Sequence, residues 1–267
     1  MKVYRLTDPT GASVEVLPEK GATVISYQVD GKEYFYRDPE NLGSSERPRC
    51  GIPFLFPCFG RTPEGSAYPM EIHGFGHTSR WDVISCQEDS LRLALRENPY
   101  TLKVFPFRFR VELTFALRQG RLHIRQRYEN TGSEPMPFAY GFHPYFTVED
   151  AEKTRVSIHA ALEMDMVTGK PMPSTRESVT VTFADGAMET GAFFLQASDF
   201  AIIDSGDKAI KMRFDSSFNR LVLWAVRGKP FLCVEPINSS PNGLVTGDCY
   251  HLAPGEYREA EISFEVM

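Results

Sequence analysis

Between residues 107 and 117 every second side chain is apolar. Phe107, Phe109, Val111, Leu113, Phe115 and Leu117 share one parity, while Arg108, Arg110, Glu112 and Thr114 share the other. A period of two is that of a strand with one face on a core and the other in water. After Gln119-Gly120 the alternation resumes, with Leu122, Ile124 and Tyr128 against Arg121, His123, Arg125 and Arg127. A two-residue turn at Gln119-Gly120 sets Phe115 opposite Ile124 and Glu112 opposite Arg127, so the apolar and charged faces agree across the hairpin. Shorter runs of the same kind recur at 13–16, 22–29, 91–95, 156–158, 179–183, 201–203, 209–214, 221–226, 231–234 and 259–266. No stretch of ten residues carries an apolar 3.6 period, and 20 glycines with 19 prolines punctuate the whole length. The expected fold is all-β: one large antiparallel β-sandwich spanning residues 1–267, without linker or repeat.

With 42% hydrophobic residues the chain has material for a large core. A formal charge of −6 and the absence of any basic run argue against nucleic acid or an anionic membrane surface as partner, and favour a small-molecule ligand. The start Met1-Lys2-Val3-Tyr4-Arg5 lacks the apolar stretch of a signal peptide, so a cytoplasmic chain is expected, as a monomer or weak homodimer. Cys50, Cys58, Cys86, Cys233 and Cys249 are odd in number and contain no Cys-x-x-Cys pair, which predicts buried reduced thiols rather than a zinc or redox site.

Two segments rich in Gly, Pro and aromatic residues break the alternation, 49–81 and 135–146, and such segments form loops and strand ends where function concentrates. The first holds Arg49, Gly51-Ile52-Pro53, Phe59-Gly60-Arg61, His73-Gly74-Phe75, His77 and Trp81; the second holds Gly141-Phe142-His143-Pro144-Tyr145-Phe146. A third feature is Phe231-Leu232-Cys233-Val234-Glu235-Pro236, apolar on both faces and ending on a carboxylate. An unpaired buried charge is costly, so Glu235 is expected at a polar cleft or beside a partner. Among the six histidines, His123 and His159 fall on the polar parity of strands and His251 on a turn or rim, which leaves His73, His77 and His143 as candidates.

These pieces, together with Thr246-Gly247-Asp248 and Leu252-Ala253-Pro254-Gly255-Glu256, resemble the aldose 1-epimerase family in content and order. The resemblance implies a β-sandwich with an open carbohydrate cleft, and interconversion of the α and β anomers of an aldose without metal or organic cofactor. It casts His143 as the general acid at the ring oxygen and Glu235 as the general base at the anomeric hydroxyl. It places Arg61 and His73 on sugar hydroxyls; of the aromatic rings Phe75, Tyr145 and Trp81, Phe75 ranks first for packing on the apolar face of a pyranose. Arg49 matches an arginine of the hexose-6-phosphate branch, but His77 stands where that branch carries a second arginine, which argues against a phosphosugar. The family's substrate-binding aspartate finds no clear counterpart: Asp185 precedes Gly186 as a turn residue would, and Asp204 does not align. Alternatives are a non-catalytic carbohydrate-binding sandwich, a hexose-6-phosphate mutarotase and, last, a glycosidase, which needs two carboxylates flanking one bond.

Overall fold

The computed structural model describes residues 1–165 and 170–267. Strands make up 48% of the chain and helix 6%, arranged as a large antiparallel β-sandwich that does not close into a barrel. The hairpin of strands Phe109–Arg118 and Arg121–Asn130 has the register its alternation predicts, with Phe115 opposite Ile124 and Glu112 opposite Arg127. Gln119 and Gly120 both take positive φ, 52° and 76°, the turn whose twist matches that of paired strands. Among the described residues, no helix is long and apolar enough to cross a membrane.

From this hairpin the main sheet runs one way through Ser90–Arg96 to an edge at Asp82–Cys86. The other way it passes through Tyr257–Val266, Ala209–Phe214, Glu189–Asp204, Arg220–Val226 and Phe231–Ile237 to Gly141–Phe142 and Phe54–Leu55. The 16-residue strand Glu189–Asp204 carries the sheet between its two halves: its first part pairs with Arg220–Val226, its last with Ala209–Phe214. An aromatic layer fills the space between the halves. Phe142 lies 5.5 Å from Phe54, Phe54 6.2 Å from Tyr128, and Tyr128 4.5 Å from Tyr140.

Two expectations change. The run 179–183 does not form a full strand: Ser178–Val179 alone pairs with the neighbouring strand, yet Val179 and Val181 are both buried. Alternate burial produced the pattern there without a hydrogen-bonded ladder. Cys50, Cys58 and Cys233 are buried free thiols, but Cys86 is exposed on the edge strand and Cys249 is partly exposed.

One glycine decides how closely the segment that holds His143 approaches the strand Phe231–Ile237. Gly141 pairs with Ile237 on one side and Leu55 on the other. A Cβ there would stand 2.6 Å from Ile237 Cγ2 and 2.8 Å from the Pro236 carbonyl oxygen. Gly141→Ala is therefore expected to destabilise the fold by about 1–3 kcal/mol in urea unfolding, as overpacking does. Gly43→Ala, where a Cβ meets nothing within 4 Å, should stay within about 0.5 kcal/mol of the parent.

Candidate active site

His143 and Glu235 come together because their strands are neighbours. The His143 amide donates to the Pro53 carbonyl at 3.0 Å and the Tyr145 amide to the Gly51 carbonyl at 2.8 Å, which fixes the segment against the Gly51-Ile52-Pro53 run. Phe142 enters the aromatic core, so His143, next along an extended chain, points to the opposite face. On the adjoining strand Phe231–Ile237 all seven residues are buried, and Cys233 pairs with Tyr145. The result is a contact of 3.3 Å between His143 Nε2 and Glu235 Oε1, with side-chain exposures of 12% and 3%.

Other imidazoles surround this pair. The His73 ring lies 5.6 Å from that of His143 and 6.3 Å from that of His77. His73 Nδ1 accepts from the Gly60 amide at 3.2 Å, which leaves the ring proton of the neutral form on Nε2, free to donate. The His143 ring stacks on Tyr145 at 4.7 Å and meets the edge of Trp224 at 5.8 Å. His77 is buried, and its Nδ1 has no hydrogen-bond partner among the described residues.

Burial dominates the electrostatics. Desolvation pulls His143 and His77 down to about 3 and His73 well below the ordinary histidine value, and pushes Glu235 well above the ordinary carboxyl value. Burial thus favours the neutral imidazole at His143 and the protonated carboxyl at Glu235.

Arg47 is the nearby charge that no motif singled out. Its guanidinium opposes the rise at Glu235 and adds to the fall at all three histidines. It has no ion-pair partner among the described residues, and it lines, with Pro48, the small void above His73, His77, His143 and Tyr145. Asn41 holds its loop at two points, donating to the Arg47 carbonyl at 3.1 Å and accepting from the Arg49 amide at 2.7 Å. The only sequence sign of Arg47 is its place in the charged, proline-broken run Glu46-Arg47-Pro48-Arg49. Periodicity says nothing about such a loop.

Arg47 and His77 also border a larger cavity of about 500 Å³, whose walls include Arg49, Arg61 and Phe75. Arg61 is exposed and sits 3.5 Å from Glu71. Phe75 is buried against Phe56 and Phe109, at 5.7 and 5.8 Å, and shows the cavity little surface. Trp81 belongs to the core, with its Nε1 donating to the Gly76 carbonyl at 3.0 Å. His123 pairs with Glu261 at 3.0 Å on the outer face, while His159 and His251 are exposed. Asp185 is exposed in a loop, and Asp204 ends its strand beside Arg155 and Ala209; neither reaches the site.

A buried imidazole–carboxylate pair lies on one face of an open β-sandwich, ringed by further histidines and arginines, and two such groups in contact are able to exchange a proton. Residues 2–265 match the aldose 1-epimerase family, and the chain belongs to it. The Slr1438 protein from Synechocystis sp. PCC 6803 has a similar structure, with a TM-score of 0.89 and 32% identity over 99% of this chain and 95% of that one. A galactose mutarotase-like protein from Lactobacillus casei shares the fold with a TM-score of 0.84 at 22% identity, each chain covered in full. The protein YphB of Escherichia coli K12 is 26% identical over 219 residues, 73% of this chain and 71% of its own.

The lowered histidines make stability depend on acid. Unfolded imidazoles take up protons below about pH 6.5, whereas the buried ones stay neutral to about 3. The raised Glu235 acts in the opposite sense, but with His73, His77 and His143 lowered against one raised carboxyl the unfolded state binds more protons and stability falls as pH drops through that window. At pH 5 each such histidine contributes a loss of about 2 kcal/mol. The melting temperature should therefore be several degrees lower at pH 5 than at pH 7, and His77→Gln should lessen that drop by about 4–8 °C. An equal drop in parent and variant would contradict the assignment of His77 as a neutral buried imidazole.

Proposed function

We propose that the protein interconverts the α and β anomers of an aldose by opening and reclosing its ring, with His143 and Glu235 as the acid–base pair. The observation that carries this reading is the 3.3 Å contact between His143 Nε2 and Glu235 Oε1 inside a desolvated site. Ring opening breaks the bond from C1 to the ring oxygen. Glu235 takes the proton of the anomeric hydroxyl as His143 delivers one to the ring oxygen, which becomes a free hydroxyl. The aldehyde turns about the C1–C2 bond, and the hydroxyl adds to its other face. His143 then recovers its proton, and Glu235 returns one to the new anomeric oxygen.

This cycle needs one proton shared by the pair. Burial favours its place on Glu235 in the free protein; passing it across the contact gives the imidazolium and carboxylate that open the ring. Each group passes through both protonation states in every turnover, so no net proton is gained or lost. The Arg47 guanidinium favours the carboxylate form of Glu235, and His73, with Nε2–H available, offers a donor to a sugar hydroxyl. A cytoplasmic location and a monomeric or weakly dimeric state go with this proposal.

A second reading has its own support. Arg47, Arg49 and Arg61 border one cavity, and the first two have no ion-pair partner among the described residues. Although His77 replaces the arginine of the hexose-6-phosphate branch, Arg47 adds a cation to the same wall. An aldose carrying an anionic group suits that wall, and its KM should then lie below that of the neutral sugar and rise with added salt. Salt-independent KM values, no lower for glucose 6-phosphate than for glucose, would exclude it.

The direct test follows the optical rotation of freshly dissolved α-glucose, α-galactose and α-glucose 6-phosphate with and without protein. Acceleration of at least one is expected, with His143→Asn and Glu235→Gln each reducing it about a hundredfold to ten-thousandfold while remaining folded. Full activity in both variants would overturn the assigned roles.

The buried pair also shapes the pH profile. Burial keeps His143 neutral down to about 3 and favours the protonated carboxyl at Glu235, so the kcat/KM profile for a neutral sugar should show no ordinary histidine titration between pH 7 and 5. An acid limb centred near pH 6.5 would show that His143 titrates as an ordinary histidine.

A further inference from the structure

The strand ladder that sets His143 against Glu235 is thin where the two meet. Gly141 pairs with Ile237 and Tyr145 with Cys233, which puts His143 midway between these pairs, opposite Glu235. The pairing lapses at His143 and Pro144, and neither Pro144 nor Pro236 on the facing strand has an amide to donate. A slip of one residue would move the facing side chain by about 3.3 Å and turn it to the other face. The contact between the two groups therefore needs its register held from outside the pair.

Asn238 holds it at one end with its side chain. Its amide donates to the Tyr140 carbonyl at 3.2 Å, and its Oδ1 accepts from the Tyr140 amide at 2.7 Å. This closed pair of bonds lies three positions from each member of the acid–base pair (238 − 235 and 143 − 140). The Asn238 carbonyl in turn accepts from Arg220 Nη1 at 2.8 Å. Arg220 is largely buried, and its Nη2 donates to both oxygens of Asp248, at 2.8 and 3.0 Å. Asp248 also accepts from the Ser240 amide at 2.9 Å. Burial pushes the Asp248 carboxyl up, but the bonds from Ser240 and Arg220 bring it below the ordinary carboxylate value, so it stays ionised at neutral pH. Thr246-Gly247-Asp248, a motif with no part in the acid–base cycle, thus connects to it through Arg220 and Asn238.

We propose that Asp248, Arg220 and Asn238 are positioning residues for the acid–base pair. Asp248 fixes Arg220, Arg220 fixes the Asn238 carbonyl, and Asn238 sets Tyr140 in register so that His143 faces Glu235. The proposal rests on the mutarotase reading for the reaction it serves. None of the three lines the small void above His73 and His143, the arginine-walled cavity, or the groove of about 550 Å³ along Phe193 and Trp224. Their effect should therefore fall on kcat and leave substrate binding alone.

The test follows mutarotation kinetics and the 15N NMR signals of the histidine rings in the parent, Asp248→Ala, Asn238→Ala and the double variant, each checked for folding by thermal unfolding. Misplacing a catalytic group by about 1 Å costs about a hundredfold, so each single substitution should lower kcat about tenfold or more, with KM within about twofold. Because the two residues act along one chain of bonds, Asp248→Ala should cost less than about threefold once Asn238→Ala is present. The His143 Nε2 resonance, which reports the contact with Glu235, should move in both single variants, while the His123 signals on the outer face stay in place. If Asp248→Ala does not fold, Arg220→Lys replaces it: an ammonium keeps the charge but lacks the fork that spans Asn238 and Asp248, so kcat should again fall. An unmoved His143 resonance, a kcat within about twofold of an active parent, losses that multiply in the double variant, or a rise in KM in place of the fall in kcat would each overturn the proposal. If the resonance moves but even the parent accelerates no sugar, the positioning role stands and the mutarotase reading falls. If the parent is active and neither kcat nor the resonance responds, the reverse holds.

Discussion

Glu235 sits in the middle of a strand that is buried on both faces, and this constraint governs the site. A carboxylate in such a place cannot remain both charged and unpartnered. It is tolerated here because Gly141 lets the His143 segment pack against Ile237 and Pro236, bringing His143 Nε2 within 3.3 Å of Glu235 Oε1. The burial that makes the carboxylate expensive also moves the imidazole down and the carboxyl up. Stability and chemistry therefore draw on the same packing.

The scaffold behind the pair is rigid in a way a loop-built site is not. His143 and Tyr145 are fixed by main-chain bonds to Pro53 and Gly51, Phe142 is locked in an aromatic layer that reaches across to Tyr128, and Glu235 lies within a strand paired on both sides. Acid–base catalysis gains from such pre-set geometry because no group needs to reorganise as the proton moves. The adaptable parts lie on either side: an arginine-bearing loop tied down by Asn41 and the open groove along Trp224. Two differently lined cavities thus lie on either side of the His143–Glu235 pair.

Several features of the site were legible in the residues. His73, His77 and His143 lie in segments that break the strand alternation, and they converge; Glu235 stood out as a carboxylate inside an apolar run. Trp81 and Phe75, which share those segments, turned out to be buried, because a non-alternating aromatic run gives no parity to separate core from cleft. Trp224 was hidden for the opposite reason: in Arg220–Val226 it sits on the less buried parity of an ordinary alternating strand, and nothing local shows that this face borders a catalytic pair. Arg47 was invisible to any periodic argument, since its loop is placed by the side chain of Asn41.

The sequence by itself determined the β architecture, because a period of two requires a pleated strand with one buried face, and the Phe109–Asn130 hairpin follows with its register and turn. It also set the order of the motif residues that identify the family. Only the tertiary structure decided which of those residues meet. The contact of His143 with Glu235 joins positions 92 residues apart (235 − 143), and the groove beside them is walled by the strands Glu189–Asp204 and Arg220–Val226 together with Phe59 from far earlier in the chain. Alternation records which way a side chain faces; it carries no information about which other strand lies beside it, and in this protein the candidate site is made of those neighbours.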